Sequence, residues 1–224
     1  MVTLGLADFI KANDHAIKNF ENNQLFRLIK AEKVTLKHYQ EFLLSIFHQT
    51  FHAAVSFASA GANCSNNNFE IRDYLIKHAE EEHSHWRWVL EDLKNIGYKG
   101  SDPRSNFPNK SCSSYIAFNF YLATRYPIAR LGAAAAVEVI GAGLGAKYGK
   151  NLIQQLKLKP EQMKFVMSHS ITDVEHVGEI FDLLKESELT QQDWSWMIYA
   201  ATMAARLYRD MYDEIASLQI EKAA

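Results

Sequence analysis

Apolar and polar positions recur with the period of an α-helix along most of this chain. One example is a run of side chains that share one face of a helix, namely Phe42, Leu43, Ile46, Phe47 and Thr50. Only four prolines are present, so long stretches lack the residue that most strongly interrupts a helix. The pattern predicts an all-α protein in which each amphipathic helix forms one wall of a shared core.

Seven helical segments are predicted from this periodicity and from the residues that end each segment. They are residues 4–31, 35–61, 69–96, 111–125, 128–156, 160–187 and 190–217. An alternative breaks the first segment near Asn13 and Asp14. The longest linker, 97–109, contains two glycines and two prolines, but it does not have the composition of a flexible tether between domains. We therefore expect one domain over residues 1–224.

Composition narrows the class of protein further. Lysine and arginine number 24 against 26 aspartates and glutamates, so the basic excess expected of a nucleic-acid-binding protein is absent. The start of the chain lacks the features of a secretory signal, and the apolar run 131–146 is too short for a membrane span and contains Glu138. The two cysteines, Cys64 and Cys112, form no metal or redox motif. We expect a cytoplasmic protein that binds neither nucleic acid nor membrane.

The pattern His-x3-carboxylate-x2-His occurs twice. The two copies consist of His78, Glu82, His85 and of His169, Asp173, His176. In an α-helix, residues at i, i+4 and i+7 lie on one narrow stripe, so each helix presents two imidazoles and a carboxylate to the same side. These ligands suit iron, manganese or zinc, and two such helices facing each other can form a two-metal centre.

Glu138 is a further candidate ligand, because it stands in the apolar run 133–140. Burying an unpaired carboxylate is costly, so Glu138 requires either a metal ion or an ion pair with Arg125 or Arg130. Spacing favours the metal, since Glu138 lies 35 residues before Asp173. His48 lies 34 residues before Glu82. This similar offset indicates a pseudo-two-fold arrangement with His48 as a further candidate ligand.

The two triplets also admit other interpretations. By itself the charged run 78–85 is typical of a solvated helix face, but the second triplet interrupts an apolar helix and favours a shared metal. Glu81 competes with Glu82, because it also precedes His85 by one helical turn; the match to Asp173 favours Glu82. A set of six or seven nitrogen and oxygen ligands indicates two octahedral ions, which favours iron over zinc.

Three segments carry a resemblance to a known family: 78–93, 126–138 and 169–176. With these residues the chain resembles the heme-oxygenase-like diiron oxidase/oxygenase family, whose members are related by fold to the TenA and PqqC proteins. The resemblance covers about residues 35–185. It implies a seven-helix heme-oxygenase-like bundle that binds two Fe(II) ions weakly and asymmetrically, and homodimers through the C-terminal helices are a habit of such bundles.

The resemblance also implies roles for individual residues. Those that match family ligands by position are Glu82, His85, Glu138, His169, Asp173 and His176. The chain departs from the family where members commonly have a glutamate, since it has His48 and His78 there. Glu138 is implied to bridge the two irons or to shift between them, which makes it the candidate catalytic residue.

The implied activity is the use of dioxygen on a small amino or carboxylic acid. The reactions of this class are N-oxygenation, oxidative C–C cleavage, and the formation of nitriles or alkenes. Two alternatives remain: a metal-free TenA-like or PqqC-like enzyme, and a ferritin-like iron-binding protein. The hydrolase form of the first alternative requires a cysteine in its pocket, and neither Cys64 nor Cys112 lies in a segment expected there.

Overall fold

The structure is a computed structural model that describes residues 3–218. Within that range it contains helices and no strand, which confirms the all-α prediction. The helices are α1 (Leu6–Phe20), α2 (Gln24–Lys30), α3 (Leu36–Asn63), α4 (Phe69–Glu82), α5 (Trp86–Asn95), α6 (Lys110–Arg125), α7 (Pro127–Ile140), α8 (Ala146–Leu156), α9 (Lys164–Glu186) and α10 (Gln191–Ala216).

All seven predicted segments are helical, but three of them are divided. The first is not broken at Asn13, whose side-chain amide donates to the Phe9 carbonyl at 2.9 Å within α1. It breaks instead at 21–23, where the side chain of Asn23 accepts a hydrogen bond from Phe26 N at 2.8 Å and caps α2. The segment 69–96 divides at 83–85, and a π-helical stretch, Gly141–Gly145, separates α7 from α8.

Helix α7 lies at the centre of the bundle, and it packs most extensively against α10. A Cβ atom at Gly132 would lie 2.5 Å from the carbonyl oxygen of Met197, so glycine lets the two backbones approach closely. The stretch Pro127–Leu156 is long and apolar enough to cross a membrane by length and composition alone, and 61% of its most apolar window is buried inside the protein. Its position in the core accounts for this apolarity.

A buried carboxylate joins α5 to α9. Asp92 accepts hydrogen bonds from the backbone N–H groups of Lys164 at 2.8 Å and of Phe165 at 2.9 Å. These groups at the start of α9 have no partner within their own helix, and negative charge at a helix N-terminus is favourable. Asp92 thus fixes the start of the helix that carries the second triplet relative to the helix that follows the first.

Candidate metal centre

Four parts of the chain bring the predicted ligands together inside the bundle. Helix α4 and the turn 83–85 carry the first triplet, α7 carries Glu138, and α9 carries the second triplet. Six of the predicted ligands are at most 9% exposed: His78, Glu82, His85, Glu138, Asp173 and His176. The side chain of the seventh, His169, is 15% exposed. The structure therefore places both triplets and Glu138 in one buried region.

The first cluster consists of Glu82, His85 and His169, each of which offers a ligand atom within 4.8 Å of the others. His85 Nδ1 lies 2.9 Å from Glu82 Oε2. The His85 ring also stacks on Trp88, with centroids 4.2 Å apart. Two buried atoms of the cluster, Glu82 Oε1 and His169 Nε2, have no hydrogen-bond partner. Such atoms are costly to bury, and they are available to bind a cation.

The second cluster consists of Glu138, Asp173 and His176, again with ligand atoms within 4.8 Å of one another. His176 Nδ1 lies 3.2 Å from Glu138 Oε2 and 4.0 Å from Glu82 Oε1. Asp173 Oδ1 lies 3.0 Å from Nδ1 of His169 in the first cluster. The two clusters are therefore contiguous, with Glu82 and Asp173 between them.

His78 joins the second cluster through two carboxylates. Its Nε2 atom lies 3.6 Å from Glu138 Oε1, and it forms a further group with Glu81 and His176. Glu81 Oε2 lies 3.6 Å from His176 Nε2 and 3.8 Å from His78 Nδ1. The side chain of Glu81 is 35% exposed, yet this oxygen is buried without a hydrogen-bond partner. The sequence interpretation preferred Glu82 over Glu81, but the structure brings both to the centre.

His48 is placed differently. Its side chain is buried, and its ring contacts Phe47, the residue before it, with centroids 5.3 Å apart. It belongs to none of the groups of potential metal ligands found among residues 3–218. His52, one turn further along α3, lines a cavity that adjoins the centre. The structure therefore does not bring His48 together with the seven other predicted residues.

The buried carboxylates and imidazoles of the centre shift one another's pKa values. Burial raises the pKa of Asp173 to about 7. Burial also lowers the pKa of His176, but its contact with Glu138 outweighs this effect and raises the value to about 9. Burial would raise the pKa of Glu138, yet the contacts with His176 and His78 hold it well below its ordinary value. In the metal-free protein, protons on the imidazoles thus partly compensate the carboxylates.

The donor set fits two divalent ions such as iron. The eight side chains comprise four carboxylates (Glu81, Glu82, Glu138, Asp173) and four histidines (His78, His85, His169, His176). With neutral imidazoles the formal charge is −4, which two divalent cations balance. Mixed imidazole and carboxylate ligands are typical of non-heme iron. Three buried ligand atoms also lack a hydrogen-bond partner and are free to bind metal: His78 Nε2, Glu82 Oε1 and His169 Nε2.

Glycine makes room for one of the ligands. A Cβ atom at Gly141 would collide with the carboxylate of Asp173, so only glycine allows this side chain to lie against α7. Gly141 begins the π-helical stretch that separates α7 from α8. Single π-turns within helices are frequent at functional sites.

A cavity adjoins the centre, and its volume is about 910 Å³ when the open solvent at its mouth is included. Glu82, Glu138, His169 and Asp173 all line it. A second cavity of about 560 Å³ shares lining residues with the first, including Phe42, Tyr208 and Tyr212. These four potential ligands therefore face a space in which a small organic molecule can be held.

Comparison with known proteins agrees with these observations. The model of a family described as iron-containing redox enzymes matches residues 40–209. The chain belongs to this family. A comparison with curated proteins finds no match.

Solved structures similar to this member of the family have the heme-oxygenase-like fold. A domain of unknown function from Shewanella denitrificans is 23% identical with a TM-score of 0.86, and the match covers 96% of this chain and 93% of that one. A TenA homologue from Pseudomonas syringae is 12% identical with a TM-score of 0.78, covering 95% and 92%. Heme oxygenase-1 from Synechocystis, solved with heme, is 12% identical with a TM-score of 0.67, also covering 95% and 92%. These similarities confirm the predicted fold.

Proposed function

We propose that this protein is a non-heme diiron oxidoreductase that uses dioxygen on a small amino or carboxylic acid. The observation that carries the proposal is the contiguous, largely buried set of eight imidazole and carboxylate side chains, four of which line a cavity. Membership in the family of iron-containing redox enzymes supports the choice of metal. The ligand count and the charge of the set support two ions rather than one.

The residues divide into two groups that would hold the ions. Glu82, His85 and His169 would hold one ion. The residues that would hold the other are His78, Glu81, Glu138, Asp173 and His176. Two ferrous ions, when bound, would supply open coordination positions and two electrons for the reduction of dioxygen, which side chains alone cannot provide.

The protein orients its own ligands through contacts between them. If His169 Nδ1 carries its proton and donates it to Asp173 Oδ1 at 3.0 Å, the lone pair of Nε2 points to the unpartnered side of the ring. A carboxylate that fixes an imidazole in this way sets its tautomer and increases its basicity. Glu138 reaches His176 with one oxygen and His78 with the other. It is therefore the carboxylate best placed to change partners during a reaction.

The rival functions receive less support from the site. Cys64 and Cys112 are both buried, and neither lines the cavity beside the centre. A cysteine-dependent hydrolase of the TenA type is therefore disfavoured. A ferritin-like iron-binding protein does not require a cavity with aromatic and aliphatic walls beside its ligands, whereas an enzyme with an organic substrate does.

The test is an anaerobic titration of the apoprotein with Fe(II), followed by Mössbauer spectroscopy before and after exposure to dioxygen. We expect two irons per chain and a diferric signal that depends on dioxygen. His176→Ala should lose at least one iron. His15 belongs to no potential ligand group among the described residues, so His15→Ala should bind iron as the wild type does. Absence of specific iron uptake by the wild type would contradict the proposal.

A further inference from the structure

Arg130 is a buried cation on the wall of the cavity. It lies on α7, and only 3% of its surface is exposed. Its Nε atom donates to Ser56 Oγ at 3.2 Å, and its guanidinium lies over the Phe57 ring at 3.7 Å. Its Nη1 atom is buried without a hydrogen-bond partner. No carboxylate of residues 3–218 lies within ion-pair distance of it.

This arrangement leaves a positive charge without a counter-ion. A buried charge is normally paired, because removing an unpaired charge from water is costly. The Phe57 ring attracts the guanidinium by a cation–π contact, but it cannot accept a hydrogen bond from Nη1 in the plane of the guanidinium. Glu138 and Glu82 attract Arg130 only from a distance, and bound divalent ions would neutralise these carboxylates. With the metal centre filled, Arg130 lacks a compensating anion.

We propose that Arg130 binds the carboxylate of the substrate, an inference that rests on the proposed function. The guanidinium is planar and matches a carboxylate in two-point geometry. Arg130 and Glu138 line the same cavity, and eight residues of α-helix separate them by about 12 Å. A carboxylate held at Arg130 therefore leaves the remainder of a small acid free to extend along the cavity toward the metal centre.

The structure distinguishes Arg130 from the neighbouring Arg125. Arg125, at the end of α6, is exposed to solvent and does not line the cavity. Only Arg130 is therefore placed to contact a molecule beside the metal ligands. Arg125 provides a matched control, because its substitution removes the same charge from the surface of the same protein.

The experiment uses calorimetric titration of the anaerobic Fe(II)-loaded protein with two probes, hexanoate and its neutral analogue hexanamide. We expect wild type to bind hexanoate at least about tenfold more tightly than hexanamide, the scale of a buried charged hydrogen bond. Arg130→Gln should lose this preference, and Arg130→Lys should retain part of it. Arg125→Gln should behave as wild type. Circular dichroism and iron content verify that each variant is folded and loaded.

Two results would overturn the proposal: equal affinity of wild type for both probes, or an unchanged preference in Arg130→Gln, which would mean that the carboxylate binds elsewhere. If Arg130→Gln does not fold, Arg130→Lys decides, since its single-point contact should weaken hexanoate binding severalfold. The same titrations on the apoprotein make the result independent of iron. An Arg130-dependent preference in a protein that consumes no dioxygen would contradict the proposed function but leave the role of Arg130 intact.

Discussion

Glu138 Oε2 lies 3.2 Å from His176 Nδ1, which links the central helix α7 to α9 through a buried pair. Although burial lowers the pKa of His176, this contact raises it to about 9. His176 therefore carries a proton in the metal-free protein at neutral pH. Because a metal ligand must be unprotonated, iron must displace this proton.

The first prediction concerns this proton. Glu138→Gln removes the charge that stabilises the imidazolium and leaves burial, so the pKa of His176 should fall by more than one unit, a change of over about 1.4 kcal/mol. The measurement is the NMR titration of the imidazole C–H signals in the apoprotein. In wild type, Fe(II) affinity should rise with pH up to about 9 and level off above that, because below its pKa of about 9 His176 must release a proton before it binds the metal. A His176 titration unchanged by Glu138→Gln would show that another group holds the proton.

A second prediction separates two histidines that the sequence treats alike. His78 Nε2 lies 3.6 Å from Glu138 Oε1 and has no hydrogen-bond partner, whereas His48 belongs to no potential ligand group within the described chain. His78→Ala should reduce bound iron from two ions to about one, because it removes a ligand. His48→Ala should retain the wild-type stoichiometry in the fraction that folds. Equal iron loss in both variants, measured by metal analysis after anaerobic loading, would refute the assignment.

The third prediction uses two glycines of the π-helical stretch. Gly141→Ala places a methyl group against the Asp173 carboxylate, while a Cβ at Gly143 meets nothing within 4 Å. Gly141→Ala should displace Asp173 and weaken iron binding about 10- to 100-fold, the usual cost of losing a ligand's orientation. Gly143→Ala should bind iron as wild type does. Competition with a chelator of known affinity measures both constants, and equal constants would count against the placement of Asp173.

A fourth prediction concerns the pH dependence of stability. Burial raises the pKa of Asp92 from 3.8 to about 6. The hydrogen bonds from the N–H groups of Phe165 and Lys164 lower this pKa, but they do not outweigh burial. The charge of Glu91 raises the pKa further, and the charge of Lys164 lowers it. Because the pKa of Asp92 is higher in the folded than in the unfolded protein, its protonated carboxyl stabilises the fold. This contribution to the free energy of unfolding is complete below about pH 4 and is lost as the pH rises through about 6. The loss amounts to roughly 3 kcal/mol at most.

The measurement compares urea unfolding of wild type and Asp92→Asn apoprotein between about pH 4 and pH 7. The asparagine cannot ionise, so the stability of wild type relative to the variant should decrease across this range. Other titrating groups are common to both proteins and cancel in the difference. A relative stability that increases with pH would mean that the hydrogen bonds to α9 outweigh the cost of burying the charge.

Much of the site could be predicted from the sequence, because its ligands are arranged by local geometry. Residues at i, i+4 and i+7 share one side of any helix, so His169, Asp173 and His176 had to project together wherever α9 packed. The apolar surroundings of Glu138 likewise indicated a buried carboxylate that requires a partner. These inferences needed only the helical period and the cost of burying charge.

Other features were decided by tertiary contacts. Helix α4 ends at Glu82 and the chain turns at 83–85, which lets the adjacent residues Glu81 and Glu82 reach different parts of the centre. The exclusion of His48 from the clusters depends on the rotation of α3 about its axis. The packing of α6 and α7 likewise decides that Arg130 is buried and Arg125 is exposed.

The sequence by itself therefore determined the helical class, the two ligand stripes and the need of Glu138 for a partner, since these follow from spacing and polarity within single helices. Only the tertiary structure decided which stripes meet, that Glu81 joins them, that Gly141 makes room for Asp173, and that Arg130 faces the cavity. The physical reason is that periodicity specifies the face of a helix, whereas the packing of side chains between helices specifies what that face contacts.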